Sequence, residues 1–449
     1  MGRVVVVGAG IAGAAAAYAL RAHAVTVIDG AADVGGKLRT SEFGGAPYDE
    51  GAEQFLVRVP EALGLIRALG LDAQVVNPRT SASAVWSRGR MHPLPAPTML
   101  GVPSSVRSLL GLLRPSEVVR ATADLVAPGE VPIDDVAVGA YLRRRLGAAV
   151  VDRLVDPLLG GVYAGRADEL SLFATMPALR SAQLAVGTPS VVRAARAAVG
   201  PGDGGPVFAT LTGGLGQLVS AALAASGAEV VTGRAVRRIS SIPRGFCVVH
   251  GPTTDEQAIE ADAVVVAVPA APAARLLADL APAAATELGG VDYASVAIVS
   301  LAYPAGALPA TETSGFLVPA VEGRAMKAAT FSSAKWAHFD RTLVRCSIGR
   351  VGDVAVLQRT DEELVELAAA DLSAMLGVPA PVEARVTRWG GGLPQYAVGH
   401  LDRVARIRAA VAAVPGLAVC GAAYDGVGIP ACIRSGYAAA ARLTDSIAQ

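Results

Sequence analysis

The sequence predicts an α/β fold built on a Rossmann-like parallel sheet, and three observations near its start predict it. An almost wholly apolar run, Arg3-Val4-Val5-Val6-Val7, leads directly into a glycine-rich turn. An alanine-rich stretch at residues 14–20 follows, and a second β-branched run at residues 25–28 ends in Asp29. Short continuous apolar runs are typical of strands buried on both faces, so this order predicts a strand–helix–strand unit.

The glycine-rich turn has the spacing of the dinucleotide-binding fingerprint. The first glycine of that motif makes the tight turn, the second lets a pyrophosphate approach the backbone, and the third lets helix and strand pack closely. Asp29, 21 residues after Gly8, is placed to accept a hydrogen bond from a ribose hydroxyl. A glycine turn that only packs is the alternative, which the complete order of strand, helix, strand and acid disfavours. The predicted cofactor-binding residues here are Gly8, Gly10, Ile11, Ala12, Gly13 and Asp29.

Further glycine-containing stretches favour FAD over a simple nicotinamide dinucleotide, because the longer flavin cofactor has to be held along its length. Residues 33–40 combine two glycines with basic side chains suited to a pyrophosphate, and residues 48–55 offer small residues suited to a flat ring. The closing stretch, residues 421–430, ends in a proline at the first turn of a predicted helix, whose positive end would face a flavin. Taken alone, this last stretch is better explained as an ordinary strand–helix loop, and only together with the other two glycine stretches does it favour a flavin. The predicted cofactor-binding residues of these stretches are Gly35, Gly36, Lys37, Arg39, Gly51, Ala52, Glu53, Gly421 and Gly428.

Composition excludes several other classes. The 449 residues carry a formal net charge of zero, which gives no support to nucleic-acid binding. Cysteines and histidines are scattered without metal-ligand spacing, so we expect no metal. Neither a membrane-spanning apolar run nor a signal sequence is predicted. The expected location is the cytoplasm, with peripheral contact at a membrane face left open.

The order of segments predicts a nucleotide domain interrupted by two insertions. Helical periodicity dominates residues 103–199, and the apolar run at residues 263–268 returns the chain to the first sheet. Residues 290–400 alternate as in an antiparallel sheet with helices against it. The predicted FAD-binding domain comprises residues 1–80, 207–270 and 405–449. An α+β substrate-binding domain comprises residues 81–94 and 271–404, and a mainly helical insertion comprises residues 95–206.

Over nearly its whole length the chain resembles the FAD-dependent porphyrinogen oxidases, a branch of the amine oxidase-type flavoproteins that includes bacterial coproporphyrinogen III oxidases and protoporphyrinogen oxidases. The glycine fingerprint alone is shared by many flavoproteins, and the run Asp-Pro-Leu-Leu-Gly-Gly-Val-Tyr-Ala-Gly at residues 156–165 is far more selective. The stretches that carry the resemblance are residues 8–13, 35–40, 49–53, 91–95, 141–147, 154–165, 169–171, 393–396, 399–400 and 421–430.

The resemblance implies FAD- and oxygen-dependent, six-electron oxidation of a porphyrinogen to a porphyrin in haem biosynthesis, with hydrogen peroxide as by-product. Three hydride transfers to flavin N5 are implied, so we expect no catalytic side chain, because the cofactor itself is the acceptor. Leu158 and Gly161 would lie against the macrocycle. The alternatives are that Leu158 is a core residue and that Trp389 only anchors the sheet. The FAD contacts implied by the resemblance are Arg39, Val236, Trp389, Val427 and Ile429.

One departure from the mitochondrial-type members bears on the substrate. Those members carry an arginine nine residues before the histidine of the His-x-Leu-Pro turn, and this chain has Ser83 there. With the arginine-rich bacterial composition, this favours coproporphyrinogen III, whose four propionates need cations. Surface positions or structural ion pairs are the alternative for every candidate cation. The candidates are Arg88, Arg166 and Lys335, with Arg90 and Arg180 in addition.

Other functions remain open at this point. The nearest is the same chemistry on protoporphyrinogen IX. An amine oxidase or carotenoid desaturase on the same scaffold is another, disfavoured for amine oxidases because only 4% of residues are aromatic. A non-catalytic porphyrin carrier would bind the macrocycle without producing peroxide. The expected partners are porphyrinogen and molecular oxygen, with transient contact to other haem-pathway enzymes.

Overall fold

The computed structural model describes residues 2–199, 205–308 and 312–447, with side chains described to residue 444. The chain forms two compact units. The first comprises residues 1–77, 207–292 and 401–449, and the second comprises residues 78–206 and 293–400.

The strands of both units are numbered in chain order. They are β1 Arg3–Val7, β2 Ala24–Ile28, β3 Thr40–Phe43, β4 Ala46–Asp49, β5 Phe55–Leu56, β6 Val75–Val76, β7 Ala84–Ser87, β8 Arg90–Pro93, β9 Thr98–Met99, β10 Val102–Pro103, β11 Phe208–Leu211, β12 Glu229–Val231, β13 Val236–Ser241, β14 Phe246–His250, β15 Gln257–Ala261, β16 Ala263–Val266, β17 Tyr293–Tyr303, β18 Gly315–Leu317, β19 Met326–Phe331, β20 Thr342–Ile348, β21 Glu383–Pro394 and β22 Leu417–Val419.

The α-helices are numbered in the same way. They are α1 Ile11–Ala19, α2 Pro60–Ala68, α3 Pro115–Thr122, α4 Val138–Leu146, α5 Ala148–Val150, α6 Asp156–Tyr163, α7 Leu172–Thr175, α8 Pro177–Val186, α9 Val191–Val199, α10 Gly216–Ser226, α11 Ala270–Leu277, α12 Pro282–Gly289, α13 Ser332–Lys335, α14 Val354–Leu357, α15 Asp361–Leu376, α16 His400–Ala412 and α17 Ile429–Ile447.

A five-stranded parallel sheet in the order β12-β2-β1-β16-β22 forms the centre of the first unit. Val4 to Val7 are all buried: Val4 and Val6 belong to the core that contains α1 and α17, and strand β15 also contacts β1, which explains why β1 is a continuous apolar run. The alanine-rich α1 packs against α10 and α17 in the hydrophobic core. A smaller antiparallel sheet, β13-β14-β15, and the three-stranded β5-β11-β6 belong to the same unit.

A seven-stranded sheet in the order β21-β17-β20-β19-β18-β7-β8 organises the second unit, and its inner face packs against α15. The helical region between β10 and α9 belongs to this unit. A buried ion pair joins its helices: Arg145 Nε donates to Asp124 Oδ1 at 2.6 Å, and Asp124 Oδ2 accepts from Ser190 Oγ at 2.7 Å.

The predicted α/β class with a Rossmann-like sheet is confirmed, and most predicted elements appear close to their predicted positions. Within residues 103–199, where helical periodicity predicts helices, the helical run beginning at α4 is interrupted at Gly147, whose φ of +90° a continuous helix cannot accommodate. The polar, arginine-rich strand β13 was not predicted, since its apolar pattern is weak. The structure also groups residues 271–292 with the first unit rather than with the second sheet, because α11 packs on β13.

Candidate functional site

The glycine fingerprint forms a tight turn between β1 and α1. The Gly8 N–H donates to the Ile28 carbonyl at 2.8 Å, and its φ of +109° is one that residues with a Cβ rarely adopt. A Cβ at Gly13 would lie 1.9 Å from the Gly8 carbonyl oxygen, so only glycine allows helix and turn to meet. A Cβ at Gly10 would meet nothing within 4 Å. The backbone at Gly10, directly before α1, is therefore open to a ligand, whereas Gly8 and Gly13 are fixed by packing.

Asp29 holds the fingerprint turn from the end of β2. Its Oδ2 accepts a hydrogen bond from the Ala9 N–H at 2.6 Å, and its Oδ1 accepts one from the Ala31 N–H at 2.8 Å. A carboxylate oxygen has room for a second donor, so these bonds leave capacity for a ligand hydroxyl. Asp29 thus holds the turn, and its contact with a ribose hydroxyl stays a prediction.

The second glycine stretch lies directly against the first. The Gly35 N–H donates to the Ala9 carbonyl at 3.0 Å, and Gly35 forms a parallel bridge with Gly10. A Cβ at Gly36 would lie 3.3 Å from the Cα of Gly10. The two glycine stretches therefore form one continuous surface on which side chains do not cover the backbone.

Residues 50–53 continue that surface. The Ala52 N–H donates to the Lys37 carbonyl at 3.1 Å, and the Glu50 N–H donates to the Arg39 carbonyl at 2.9 Å. The Arg39 guanidinium forms an ion pair with the buried carboxylate of Glu50, so part of its charge is already balanced. Gly51, Ala52 and Glu53 are half-buried along this edge.

The closing stretch reaches the same edge of the sheet through β22. The Cys420 N–H donates to the Val266 carbonyl at 3.1 Å, and the Gly421 N–H donates to Ser435 Oγ at 3.1 Å. Burial lowers the pKa of the Lys37 ammonium, and Cys432 of α17 opposes this shift electrostatically. Cys432, in the first turns of α17, therefore lies near Lys37 of the second glycine stretch. Because β1, β2, β16 and β22 are parallel, their carboxyl ends share one edge, where ligands of such sheets bind.

Val236 begins β13, and the segment before it is tied to the end of β2. The Arg234 N–H donates to the Asp29 carbonyl at 3.0 Å, and the Gly233 N–H donates to the Ala31 carbonyl at 2.7 Å. Val427 is half-buried, Gly428 is exposed, and Ile429 is buried at the start of α17. The first unit therefore brings together every cofactor-binding residue predicted from the sequence except Trp389.

Trp389 lies in the second unit, half-buried on β21. It lines a cavity of about 300 Å³ together with Tyr293, Arg350, Val351 and Gly352. Its predicted contact with FAD stays a prediction.

The selective Asp-Pro-Leu-Leu-Gly-Gly run forms α6, after a π-helical turn at Val151–Val155. Leu158 is half-buried and Gly161, three residues later on the same face, is exposed. A Cβ at Gly161 would lie 3.8 Å from the Leu317 side chain, an ordinary contact distance. This face of α6 is available to a flat ligand.

The candidate cations of the second unit already take part in protein contacts. Arg88 Nη2 makes a two-oxygen contact with Glu117 at 2.7 and 2.9 Å, and Arg166 Nη2 donates to Asp353 at 3.0 Å. Lys335 is 7% exposed, with its ammonium 4.9 Å from the centroid of the Trp336 ring. Ion pairing therefore accounts for Arg88 and Arg166 without a ligand, and their contact with a substrate carboxylate stays a prediction.

Comparison with known proteins identifies the family to which the chain belongs. The family model described as flavin containing amine oxidoreductase matches residues 11–444. The chain belongs to that family. It is 40% identical over 437 residues to a protein named coproporphyrinogen III oxidase from Mycobacterium tuberculosis, covering 95% of this chain and 94% of that protein. The relative of the same name from Bacillus subtilis is 32% identical over 464 residues, covering 97% and 96%.

One solved structure also matches this chain over its whole length. The crystal structure of a candidate protoporphyrinogen oxidase from Exiguobacterium sp. 255-15 matches with a TM-score of 0.88 and 30% identity, covering 100% of this chain and 99% of that one. As a member of the flavin-containing amine oxidoreductases, the chain is an FAD-dependent oxidoreductase.

The residues at the sheet edge fit FAD. Gly10 and Gly421 each leave more than 4 Å of open space where a Cβ would stand, which is what a cofactor approaching the backbone requires. The amide groups at the start of α1 supply donors for phosphate oxygens. In this flavoprotein residues 8–13, 29, 35–39, 51–53 and 421–429 would hold the cofactor, which would supply the hydride acceptor.

Besides Arg145, which is paired with Asp124, two further buried basic residues in the described part of this flavoprotein were not among the predicted site residues. Arg350 is 7% exposed and Lys327 is 5% exposed. The signal for Lys327 was present in the sequence, because lysine occurs only at positions 37, 327 and 335 among 39 basic residues. Among the described residues no group of three or more acids, histidines or cysteines could hold a metal. Within that same part of the chain, none of the helices has the length and apolar character needed to span a bilayer.

Proposed function

We propose that this flavoprotein oxidises coproporphyrinogen III to coproporphyrin III, with molecular oxygen as the final acceptor. The observation that carries the proposal is the 40% identity, over 95% of the chain, to a relative named coproporphyrinogen III oxidase. The convergence of the glycine stretches on one sheet edge supports it independently, because the reaction needs a bound flavin.

The overall reaction removes six electrons and six protons from the macrocycle and reduces three molecules of oxygen to three of hydrogen peroxide. Bound FAD supplies the hydride acceptor, so the protein has to bind and orient rather than provide a nucleophile. Leu158 and Gly161 offer a flat apolar surface on α6 for the macrocycle. On this basis the first unit binds the cofactor, and the second binds the substrate.

The second candidate is the same oxidation of protoporphyrinogen IX, which the similarity to the Exiguobacterium structure favours. The two substrates differ in carboxylates, of which coproporphyrinogen III has four and protoporphyrinogen IX has two. Ser83 supports the first substrate, because this position separates the chain from the mitochondrial-type members, which carry arginine there.

Peripheral membrane contact and transient docking of haem-pathway enzymes enter the proposal only as additional contacts, and the oxidation itself depends on neither. The more acidic, water-compatible coproporphyrinogen needs no membrane for delivery, so the proposed reaction proceeds without lipid. Adding anionic vesicles to the assay tests this, since rates that require vesicles would contradict it.

One assay tests the main proposal. The yellow holoenzyme is incubated with each porphyrinogen in turn, while porphyrin fluorescence and hydrogen peroxide are recorded together. We expect faster turnover of coproporphyrinogen III, with three peroxides per porphyrin. Preference for protoporphyrinogen IX would favour the second candidate, whereas tight porphyrin binding without peroxide would indicate a carrier.

A further inference from the structure

Lys327 occupies an irregular position in the sheet of the second unit. Met326 pairs with Ile348 and Ala328 pairs with Ser347, so Lys327 is the extra residue of a β-bulge in β19. Bulges re-aim a side chain out of the regular alternation of a strand and are frequent beside functional sites. Lys327 is nevertheless 5% exposed, and its backbone carbonyl accepts from the Val318 N–H at 2.8 Å, while the Val318 carbonyl accepts from Arg350 Nη2 at 2.9 Å, so Lys327 and Arg350 are neighbours.

The surroundings of Lys327 are positively charged. Burial, together with the charge of Arg350, lowers the pKa of the Lys327 ammonium to about 7, and Asp353 opposes the shift. Arg350 Nη1 donates to Asp156 Oδ2 at 3.1 Å, and its Nη2 donates to the Val318 carbonyl at 2.9 Å. Arg166 is paired with Asp353.

Lys327 and Arg350 are buried, Asp156 is largely buried, and the neighbouring Arg166 and Asp353 form a partly exposed pair; these five ionisable residues are called the cation cluster. With Lys327 protonated it has three positive and two negative charges, so one buried positive charge has no counterpart. An unpaired buried charge costs several kcal/mol, and the group either loses its proton or binds an anion. Arg350 also has five N–H donors and uses only part of them in the described contacts.

Other charged groups on the neighbouring elements are engaged elsewhere. Asp371 of α15 accepts from the Ala325 and Met326 N–H groups at 3.0 and 3.1 Å and faces Arg324. Lys335 of α13 lies against Trp336, and Arg345 of β20 pairs in register with Ser300 and Thr330. These groups do not supply the missing negative charge to the cluster.

Arg350 is the member of the cluster that borders both a cavity and helix α6. Arg350 lines the cavity of about 300 Å³ that also contains Trp389, a volume at the lower end of ligand sites. A Cβ at Gly160 would lie 3.5 Å from Arg350 Nη1, and the α6 helix packs on β18 and β19. The cluster is therefore next to the helix that carries Leu158 and Gly161.

We propose that Lys327 and Arg350 bind one propionate of the substrate, and so act as specificity-determining residues for a carboxylate-bearing macrocycle. This inference rests on the proposed function and assigns a role to residues that the resemblance does not. The incoming carboxylate supplies the negative charge that the cluster lacks. It also holds the macrocycle edge beside α6, with Lys327 as a protonated donor.

The first test uses the wild-type holoenzyme and coproporphyrin III, the reaction product, as the probe. A carboxylate beside Lys327 raises the pKa of its ammonium from about 7, so binding at pH 7 takes up about half a proton. Calorimetric titration in two buffers of different ionisation enthalpy measures this uptake. The dissociation constant should also rise between pH 7 and pH 9. An uptake of zero would overturn the proposal.

The second test uses Lys327→Met, with Lys327→Gln in case the first variant folds poorly. Loss of a charged hydrogen bond is expected to weaken coproporphyrin III binding roughly 10- to 100-fold. Binding of coproporphyrin tetramethyl ester, measured in one detergent-containing buffer, should change little because it has no carboxylate. Arg341→Met is the matched control, since Arg341 also carries one positive charge but is exposed and loosely paired with Glu383 at 3.4 Å.

The outcomes separate this inference from the proposed function. If the wild type turns over coproporphyrinogen III and Lys327→Met binds the product equally well, the carboxylate site is wrong and the function stands. Equal weakening for acid and ester would mean that Lys327 has only a structural role. If neither porphyrinogen is oxidised, the proposed function fails, while product binding and proton uptake still test the anion site.

Discussion

Gly436 lies against the carbonyl oxygen of Ala12, so close that a Cβ on Gly436 would stand 2.3 Å from that oxygen. This contact sets the spacing between α17 and α1 and keeps the first turns of α17 near the fingerprint. Close packing of α1 against α17 therefore requires glycine at position 436.

Replacing Gly436 with valine should destabilise the first unit by about 1–3 kcal/mol, because the helices have to move apart. FAD content of the purified protein should fall with it. Thermal unfolding and the ratio of flavin to protein absorbance measure the two effects. Gly64→Ala on the exposed face of α2 is the control, since a Cβ there meets nothing within 4 Å. Unchanged stability of Gly436→Val would show that the helices are not held by this contact.

Gly10 and Gly13 are predicted to respond differently to alanine. A methyl group at Gly10 meets open space in the protein, so Gly10→Ala should fold normally and lose FAD affinity by steric exclusion of the phosphates. At Gly13 the methyl group would lie 1.9 Å from a backbone oxygen, so Gly13→Ala should fail to fold stably. Circular dichroism and flavin titration distinguish the two. Wild-type FAD affinity in Gly10→Ala would mean that the cofactor does not approach this residue.

The buried pair of Asp124 and Arg145 is predicted to be a main stabilising contact of the helical region. Asp124→Ala leaves the Arg145 charge buried, where it is 8% exposed, without its carboxylate. Breaking such a pair costs about 3–5 kcal/mol. Urea unfolding should show a loss of that size. Glu383→Ala, which breaks the exposed pair with Arg341, should cost no more than about 1 kcal/mol.

Lys327 should give the stability of the protein a distinct pH dependence. Its pKa is about 7 in the folded protein against 10.5 for an ordinary lysine, so the unfolded chain binds more protons between these values. Stability therefore rises with pH in this window, by about 2 kcal/mol between pH 7 and pH 9 relative to Lys327→Met. Urea titrations of both proteins without porphyrin measure the difference. A constant difference across this range would mean that the folded-state pKa is not lowered.

Gly161→Ala is predicted to separate stability from substrate binding. Alanine inside α6 should stabilise the helix by up to about 1 kcal/mol, because the added Cβ has room and glycine is a poor helix former. The same methyl group would stand between α6 and a flat macrocycle, so KM for coproporphyrinogen III should rise. An unchanged KM together with higher thermal stability would place the macrocycle elsewhere.

Much of the first unit could be predicted from local sequence. The valine run of β1, the glycine spacing and the second β-branched run each involve only a few consecutive residues. They can therefore be interpreted without knowledge of tertiary contacts. Strand β13 could not be predicted in this way. Its Arg237 and Arg238 interrupt the apolar pattern, and its pairing with β14 decides its conformation.

The same distinction between local sequence and tertiary contacts applies to the candidate site. The sequence by itself determined where glycines leave the backbone without side chains, because their spacing is local; that Gly8 and Gly13 are required by packing while Gly10 is open was decided by the tertiary structure. The charge balance around Arg88, Arg166 and Lys327 was decided only by tertiary structure. Ion pairs join residues more than 25 positions apart, so whether a cation is neutralised or left with excess charge depends on which acid the fold places beside it.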